Sequence, residues 1–135
     1  MTYALASGLQ QAVFQHLSAD PGVNAALGGD LFDAMPSGSL PQLYAVLGAE
    51  EVADRSDASA AGARHRFTIS IFTGSAGFGL AKEAAGAICD ALIDADLALP
   101  RGHLVGLWFE RATAQRLELG GRSIALMFAA RVDDS

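Results

Sequence analysis

The order of the predicted elements constrains the fold of this chain more than any single residue does. An alternating segment, RHRFTISIF, leads to an alanine-rich segment, FGLAKEAAGAICDALIDA, and then to two long apolar segments joined through ELGGR. Alternation with a period of two predicts a half-buried strand, and the spacing of the alanine-rich segment predicts a helix. The last two segments predict strands joined as a hairpin.

The segments before these complete the predicted domain. Apolar residues at helical spacing predict a first helix over about 3–17, and residues 42–49 predict a strand buried on both faces. Asp20 and Pro21 predict the start of a short helical turn that ends at Gly28 or Gly29. We therefore expect an α+β fold with a small, mostly antiparallel sheet of about four to five strands and two main helices packed on it. With 135 residues, the chain is expected to be a single domain over 1–135.

The predicted strands differ in how clearly their sequences assign residues to the two faces of the sheet. On the alternating strand, Phe67, Ile69 and Ile71 point one way, and the polar residues Arg64, Arg66, Thr68 and Ser70 point the other. The last two strands carry apolar residues on both faces, which indicates that something covers a second face. A neighbouring subunit or the first helix of the same chain would explain this equally well.

Residues 50–62, EEVADRSDASAAG, form the least apolar stretch, and we predict a mobile acidic loop there. Glu50, Glu51 and Asp54 supply carboxylates that a cation site or acid–base chemistry would need. However, Glu50 and Glu51 are adjacent and point apart in an extended chain, so a solvated loop is the simpler interpretation.

No residue pattern predicts a catalytic, cofactor-binding or metal site. His16, His65 and His103 are scattered without the spacing of metal ligands. The turn Gly74–Gly79 lies between a strand and a helix, where phosphate-binding loops occur, but it lacks the lysine of such loops. We interpret it as a turn.

Charge and cysteine content restrict the class of partner. A net charge of −6 and a pI near 4.8 argue against nucleic-acid binding as the main role, but they suit a passage through which a polyanion slides. Cys89 is the single cysteine and is expected to be a buried structural thiol. The first residues have no basic stretch before an apolar core, and no segment is long enough to cross a membrane. We expect a chain made in a reducing cytoplasm.

Six side chains are candidates for contacts with partners. Arg64 and Arg66 share a polar strand face and are expected to pair with carboxylates of a neighbouring subunit, such as Glu50, Glu51 and Asp54; phosphate is the alternative ligand. Trp108 is the only tryptophan and is either an interface anchor or part of the core, the core being the simpler prediction.

The joint order of several segments resembles a known family. These segments are LQQAVFQHLSADPGVNAALGGDLFDAMP, LPQLYAVLGAEEV, RHRFTISIFT, AICDAL and HLVGLWFERATAQRL. Together they are similar to the tail completion, or tail terminator, proteins of long-tailed phages and of phage-derived gene transfer agents. The resemblance covers nearly the whole chain.

The resemblance implies a structural virion protein. Such proteins form rings, typically hexameric, at the head-proximal end of the tail tube, where they end tube growth and join the tail to the head connector or stopper. DNA passes through the lumen without specific binding, and no enzyme activity, cofactor or membrane contact is expected. The chain would reside in the tail of a virion or gene-transfer-agent particle, and in the host cytoplasm before assembly.

Two alternatives remain open at the level of sequence. A head-side stopper or adaptor has similar size and acidity. A small ligand-binding or enzymatic α+β domain, using the acidic loop or the Gly74–Gly79 turn, belongs to a different functional class.

Overall fold

The computed structural model describes residues 2–56 and 61–134. In these ranges the chain forms three helices and five strands, which confirms the predicted α+β class. In chain order they are α1 (Ala6–Ala19), α2 (Pro21–Leu27), β1 (Leu31–Phe32), β2 (Leu43–Asp54), β3 (Gly62–Thr73), α3 (Gly79–Leu92), β4 (His103–Arg116) and β5 (Arg122–Asp133). None of the described helices is long and apolar enough to span a bilayer.

The five strands form one sheet in the order β1-β2-β3-β5-β4. The short strand β1 pairs in parallel with β2, and the remaining neighbours are antiparallel. The sheet is therefore mixed, although antiparallel pairing dominates as predicted. The predicted hairpin joins β4 and β5, with Arg116 opposite Arg122. The N–H of Leu117 donates to the carbonyl of Gly121 at 2.8 Å, and Gly120 takes a φ of 104° that favours glycine.

The first two helices follow the predicted boundary signals. The N–H of Val23 donates to Asp20 Oδ2 at 3.0 Å, so this side chain caps α2. Pro21 occupies the first turn, and Gly28 ends the helix with a φ of 62°. A ring nitrogen of His16 lies 2.7 Å from the carbonyl oxygen of Ala91, which ties α1 to the end of α3.

The core lies between the helices and one face of the sheet. Phe67, Ile69 and Ile71 of β3 are buried there, which confirms the predicted division of that strand into two faces. Three buried alanines line the sheet-facing side of α3, and their small side chains let the helix lie close to the strands: Ala81, Ala84 and Ala85. From β5, Ile124, Leu126 and Phe128 join the same core.

The prediction of an acidic loop at 50–62 is largely wrong. Glu50–Asp54 continue β2 and pair with residues of β3, and β3 already begins at Gly62. Backbone hydrogen bonds to β3 hold this stretch extended, and its carboxylates reach solvent. An acidic composition is therefore compatible with an exposed strand and does not by itself indicate a loop. The connection between β2 and β3 is therefore shorter than predicted, and residues 57–60, to which the prediction of mobility also applied, lie outside the described residues.

We predict that Ile71→Ala lowers the free energy of unfolding by about 2–5 kcal/mol, because it leaves a cavity in the core. Ser70→Ala is the matched control on the opposite face of the same strand, and we expect it to change stability by less than about 0.5 kcal/mol. Chemical denaturation of both variants measures the difference. Equal losses in the two variants would contradict the assignment of the faces.

Candidate protein-interaction surface

The helices pack on one face of the sheet, and we call the other the open face. In β3 the open face carries Arg64, Arg66, Thr68 and Ser70, which alternate with the buried residues. Their partners on β5 are Arg131, Ala129, Met127 and Ala125. Basic, small and methyl-bearing side chains thus share a surface opposite the core.

Arg66 has an ion-pair partner within its own chain. Its Nε lies 3.0 Å from Glu110 Oε1, and its Nη2 donates to Glu110 Oε2 at 3.2 Å. Glu110 reaches this position because it is the extra residue where the register of β4 shifts between Phe109 and Arg111. Glu51 is the direct β2 neighbour of Arg66 in the strand register. The carboxylates of Glu110 and Glu51 in the same chain therefore lie beside Arg66, where a carboxylate of a neighbouring subunit was expected.

Arg64 lies on the same face, nearer the start of β3. It is opposite Arg131 in the strand register, and Arg131 Nε lies 3.3 Å from Asp133 Oδ1. Arg64 and Arg131 also line a shallow depression that includes Trp108. Like charges placed opposite each other are unfavourable, so this patch suits a partner that brings carboxylates.

Trp108 is 52% exposed, so the simpler prediction that it belongs to the core is wrong. The reason is its strand: β4 is the outer strand of the sheet, and Trp108 pairs with Ala129 on the open face. A half-exposed tryptophan on an outer strand fits the alternative role of an interface anchor.

The three candidate carboxylates do not form a cluster. Glu50 lies opposite Phe67, on the helix side of the sheet, and accepts a hydrogen bond from the Tyr3 hydroxyl. Glu51 points to the open face beside Arg66. The Ser56 hydroxyl donates to Asp54 Oδ1 at 2.6 Å, and this hydrogen bond is the largest of the causes that lower the pKa of Asp54 to about 2; the Ser56 N–H also donates to Oδ1.

The outer half of β4 is the most exposed part of the sheet. Residues 108–116 are all exposed, whereas Leu104 and Leu107 are partly buried against the core. The helices of this chain thus cover the beginning of β4 and leave the rest open. Val105 and Phe109 are among the apolar residues of this strand, and their side chains remain 54% and 52% exposed.

The hairpin tip carries a residue that sequence reasoning missed. Leu119 is fully exposed between β4 and β5. An apolar side chain directly before the two glycines of a turn is a signal that was available in ELGG, since such a turn leaves it no core to enter.

His65 is a buried polar group on the helix side of β3. It is 0% exposed, and neither ring nitrogen has a hydrogen-bond partner within the described residues. Its strand neighbours are Val52 and Ala130. Burial lowers the pKa of His65 from the ordinary value of 6.5, because the apolar surroundings disfavour the imidazolium form.

The described residues provide little for bond-making chemistry. No group of three or more His, Cys, Asp or Glu side chains within 2–56 and 61–134 is arranged to hold a metal ion. Burial raises the pKa of the Cys89 thiol, with a smaller effect from Asp90, so the reactive thiolate is disfavoured. In the Gly74–Gly79 turn, the N–H of Ser75 donates to Thr73 Oγ1 at 3.2 Å, as in an ordinary turn.

A partly basic open face and an uncovered apolar edge are features of a protein that contacts other proteins. The family described as "Tail completion protein gp17" matches residues 11–133 of this chain. The chain belongs to the tail completion protein gp17 family. The structure is also similar to a chain in "Virion of native gene transfer agent (GTA) particle", with a TM-score of 0.92 and 53% sequence identity over 98% of this chain and 99% of that chain. A search of curated protein sequences gave no match.

Membership of the tail completion family confirms the resemblance found in the sequence. The matched range extends from the middle of α1 to the end of β5, so it includes the whole sheet. The family does not by itself assign contacts to Glu50, Glu51, Asp54, Arg64, Arg66 or Trp108, which remain predicted contact residues.

We predict that acid destabilises this tail completion protein partly through His65. Because the pKa of His65 is lowered by folding, the unfolded state binds the proton more readily, and the free energy of unfolding falls as the pH drops below 6.5. The variant His65→Leu removes this contribution and flattens the dependence between pH 7 and pH 5. Thermal unfolding at several pH values measures it, with the exposed His103→Leu as the control. A steeper acid loss in His65→Leu than in the wild type would contradict the prediction.

Proposed function

We propose that this chain is a structural virion protein, a tail terminator that forms a ring at the head-proximal end of a tail tube. The ring, of six copies, ends tube growth and joins the tail to the head connector. The observation that supports this most strongly is the near full-length similarity, at 53% identity, to a chain of a native gene transfer agent virion. At that identity a shared role in a tail is the most economical interpretation.

The exposed surfaces support an assembly role. The outer half of β4, with Trp108 and Phe109, offers apolar area that the described helices leave uncovered. Arg64 adds a basic patch beside Trp108. Apolar anchors surrounded by charged residues are typical of protein–protein interfaces. The proposed partners are further copies of this chain, the major tail tube protein and the head connector or stopper.

Net charge supports a role in DNA passage. With a formal charge of −6, a ring of these subunits repels the phosphate backbone at long range. DNA that moves through the lumen therefore does not adhere to it. The proposed location is the tail of a virion or gene-transfer-agent particle, reached from the host cytoplasm.

We further propose that the protein has no enzymatic activity. The alternative, a small ligand-binding or enzymatic domain, required an acidic loop or an anion-binding turn. Glu50 and Glu51 lie on opposite sides of a strand, and the Gly74–Gly79 segment makes turn hydrogen bonds, so the geometry gives this alternative no support.

We predict that cells deleted for this gene release heads and tails that are not joined, with tubes of irregular length. A ring that ends tube growth controls both properties at once. Electron microscopy of particles from the deletion strain measures both, and a plasmid copy of the wild-type gene restores them. Normal joined particles in the deletion strain would refute the proposed function.

We predict that Trp108→Ala lowers the number of joined particles about tenfold or more while the subunit keeps its thermal stability. An interface tryptophan contributes heavily to binding, but truncation of an exposed side chain leaves the core intact. Leu80→Ala on α3 is the matched control, because Leu80 is 53% exposed and lies outside the open face. The role of Trp108 as an anchor is rejected if the two variants assemble equally well.

A further inference from the structure

A shallow depression on the open face joins apolar and basic side chains. It has a volume of 390 Å³, and its lining consists of Val105, Trp108, Arg55, Arg64, Arg131 and Asp133. Val105 and Trp108 are 54% and 52% exposed. No ion pair within residues 2–56 and 61–134 includes Arg55 or Arg64, whereas Arg131 is paired with Asp133. This surface, which we call the basic depression, therefore offers apolar area beside two arginines that have no carboxylate partner in their own chain.

The end of α3, on the helix side of the sheet, carries complementary groups. Ile93 directly follows the helix and is 71% exposed. Three exposed aspartates lie within three residues of it in the chain, Asp90, Asp94 and Asp96, and no ion pair of the described residues includes them. Asp90 points away from the sheet, because it lies about half a turn of helix from the buried Ile88. We call Ile93 with these aspartates the acidic helix end.

Both surfaces hold their charges unfavourably within a single chain. Arg64 is opposite Arg131 in the strand register, and like charges in such a pair repel each other. The C-terminal end of a helix carries a partial negative charge, so Asp90 in the last turn of α3 is unfavourable too. No basic residue lies in that turn to compensate for it. A bound surface of opposite charge relieves the repulsion in each place.

Charge and shape select the acidic helix end as the occupant of the basic depression. A projecting helix end can enter a depression, and its apolar Ile93 can be covered there by Trp108. Leu119 at the hairpin tip also projects, but it lies between Arg116 and Arg122, whose charges the basic depression repels. The acidic helix end is therefore the projecting apolar surface that brings the carboxylates the arginines lack.

We propose that the acidic helix end of one copy docks in the basic depression of the next copy. Ile93 packs against Trp108 and Val105, and the aspartates around it face the arginines of the depression. The inference rests on the ring proposed above and assigns its subunit contact. The two surfaces are different and lie on opposite sides of one sheet, so the contact repeats from copy to copy in one direction, as a closed ring requires.

Charge reversal in two separate variants tests this contact. The depression variant, Arg55→Glu with Arg64→Glu, makes the depression acidic; the helix-end variant, Asp90→Arg with Asp96→Arg, makes the helix end basic. Asp94 is kept, because its φ of 52° suits aspartate better than arginine. Each variant is expressed as the full chain in the deletion strain, and joined particles are counted. We expect each to reduce the count about tenfold or more, because like charges then meet at every subunit contact.

Thermal unfolding of the purified variants separates a contact from a role in folding. Arg64→Glu places a carboxylate opposite Arg131, and Asp90→Arg places a cation at the end of a helix, so both changes are favourable within one chain. We therefore expect both variants to unfold at about the wild-type temperature while the count of joined particles falls. A role in folding alone predicts that stability and count fall together.

A chain that carries all four substitutions is the decisive arm. In a ring of this chain, the acidic depression of one copy meets the basic helix end of the next, so the count of joined particles returns toward the wild-type number. A contact between either surface and a different protein is not restored in this way, because that protein is unchanged. DNA as the ligand of the basic depression is revealed by a defective depression variant, a normal helix-end variant and a defective four-substitution chain, and this result overturns the proposed contact.

The controls reverse charges of the same kinds elsewhere. Lys82→Glu and Asp33→Arg change exposed residues outside both surfaces, and we expect them to leave the count unchanged. A normal count in either the depression variant or the helix-end variant overturns the contact. So does a four-substitution chain that stays defective although it unfolds at the wild-type temperature.

Truncation of the apolar anchor decides the question if a charge variant fails to fold. We expect Ile93→Ala to lower the count of joined particles about tenfold or more, because the docked side chain fills the depression. Leu80→Ala is the matched control, since Leu80 is an exposed apolar residue at the other end of α3. Equal counts in these two variants overturn the contact. Failure of the proposed function shows separately, as normal joining in the deletion strain that makes no copy of the chain.

Discussion

The twelve-residue antiparallel pairing of β3 with β5 supports most of the structure. These two strands lie in the middle of the sheet, and their alternation divides every neighbouring strand into a helix side and an open side. The row of buried residues from Phe67 to Ile71 gives α1 and α3 a surface to pack on. Because this pairing also sets the height of the flanking strands, it places Glu50 of β2 and Phe109 of β4 in one row across the sheet.

Prediction from the sequence was correct where the pattern of buried residues follows the period of the strand or helix. On β3, strict alternation predicted both faces, because a central strand that is half buried must follow the pleat. The short helix α2 was also predictable, since Asp20, Pro21 and Gly28 are local signals whose effect does not depend on the rest of the fold.

The failures lie on the strands whose outer parts extend beyond the cover of the helices. Apolar content in β4 suggested burial for Trp108, but an outer strand of a subunit that assembles keeps apolar residues exposed until a partner arrives. Acidic content suggested a loop at Glu50 and Glu51, although their backbone is paired with β3. In both places the structure depends on pairing with a strand that is distant in sequence, and composition carries no information about that pairing.

The candidate surface was predictable only in part for the same reason. Arg64 and Arg66 were correctly placed on a polar face, but the partner of Arg66 depends on a register shift in β4 that brings in Glu110 from 44 residues away. The open basic patch is instead around Arg64 and Arg131. Pairwise charge arguments from sequence thus identified the surface but not which charges it leaves for a partner.

The two register shifts in β4, at Val105 and Glu110, affect how the exposed edge of the sheet behaves before the protein meets its partners. Bulges of this kind curve and twist an outer strand, so its free N–H and C=O groups no longer form the straight row that another strand needs. An apolar edge can then stay in contact with water without recruiting strands at random. Newly made copies of this tail completion protein are protected from aggregation in this way until they join the other proteins of the particle.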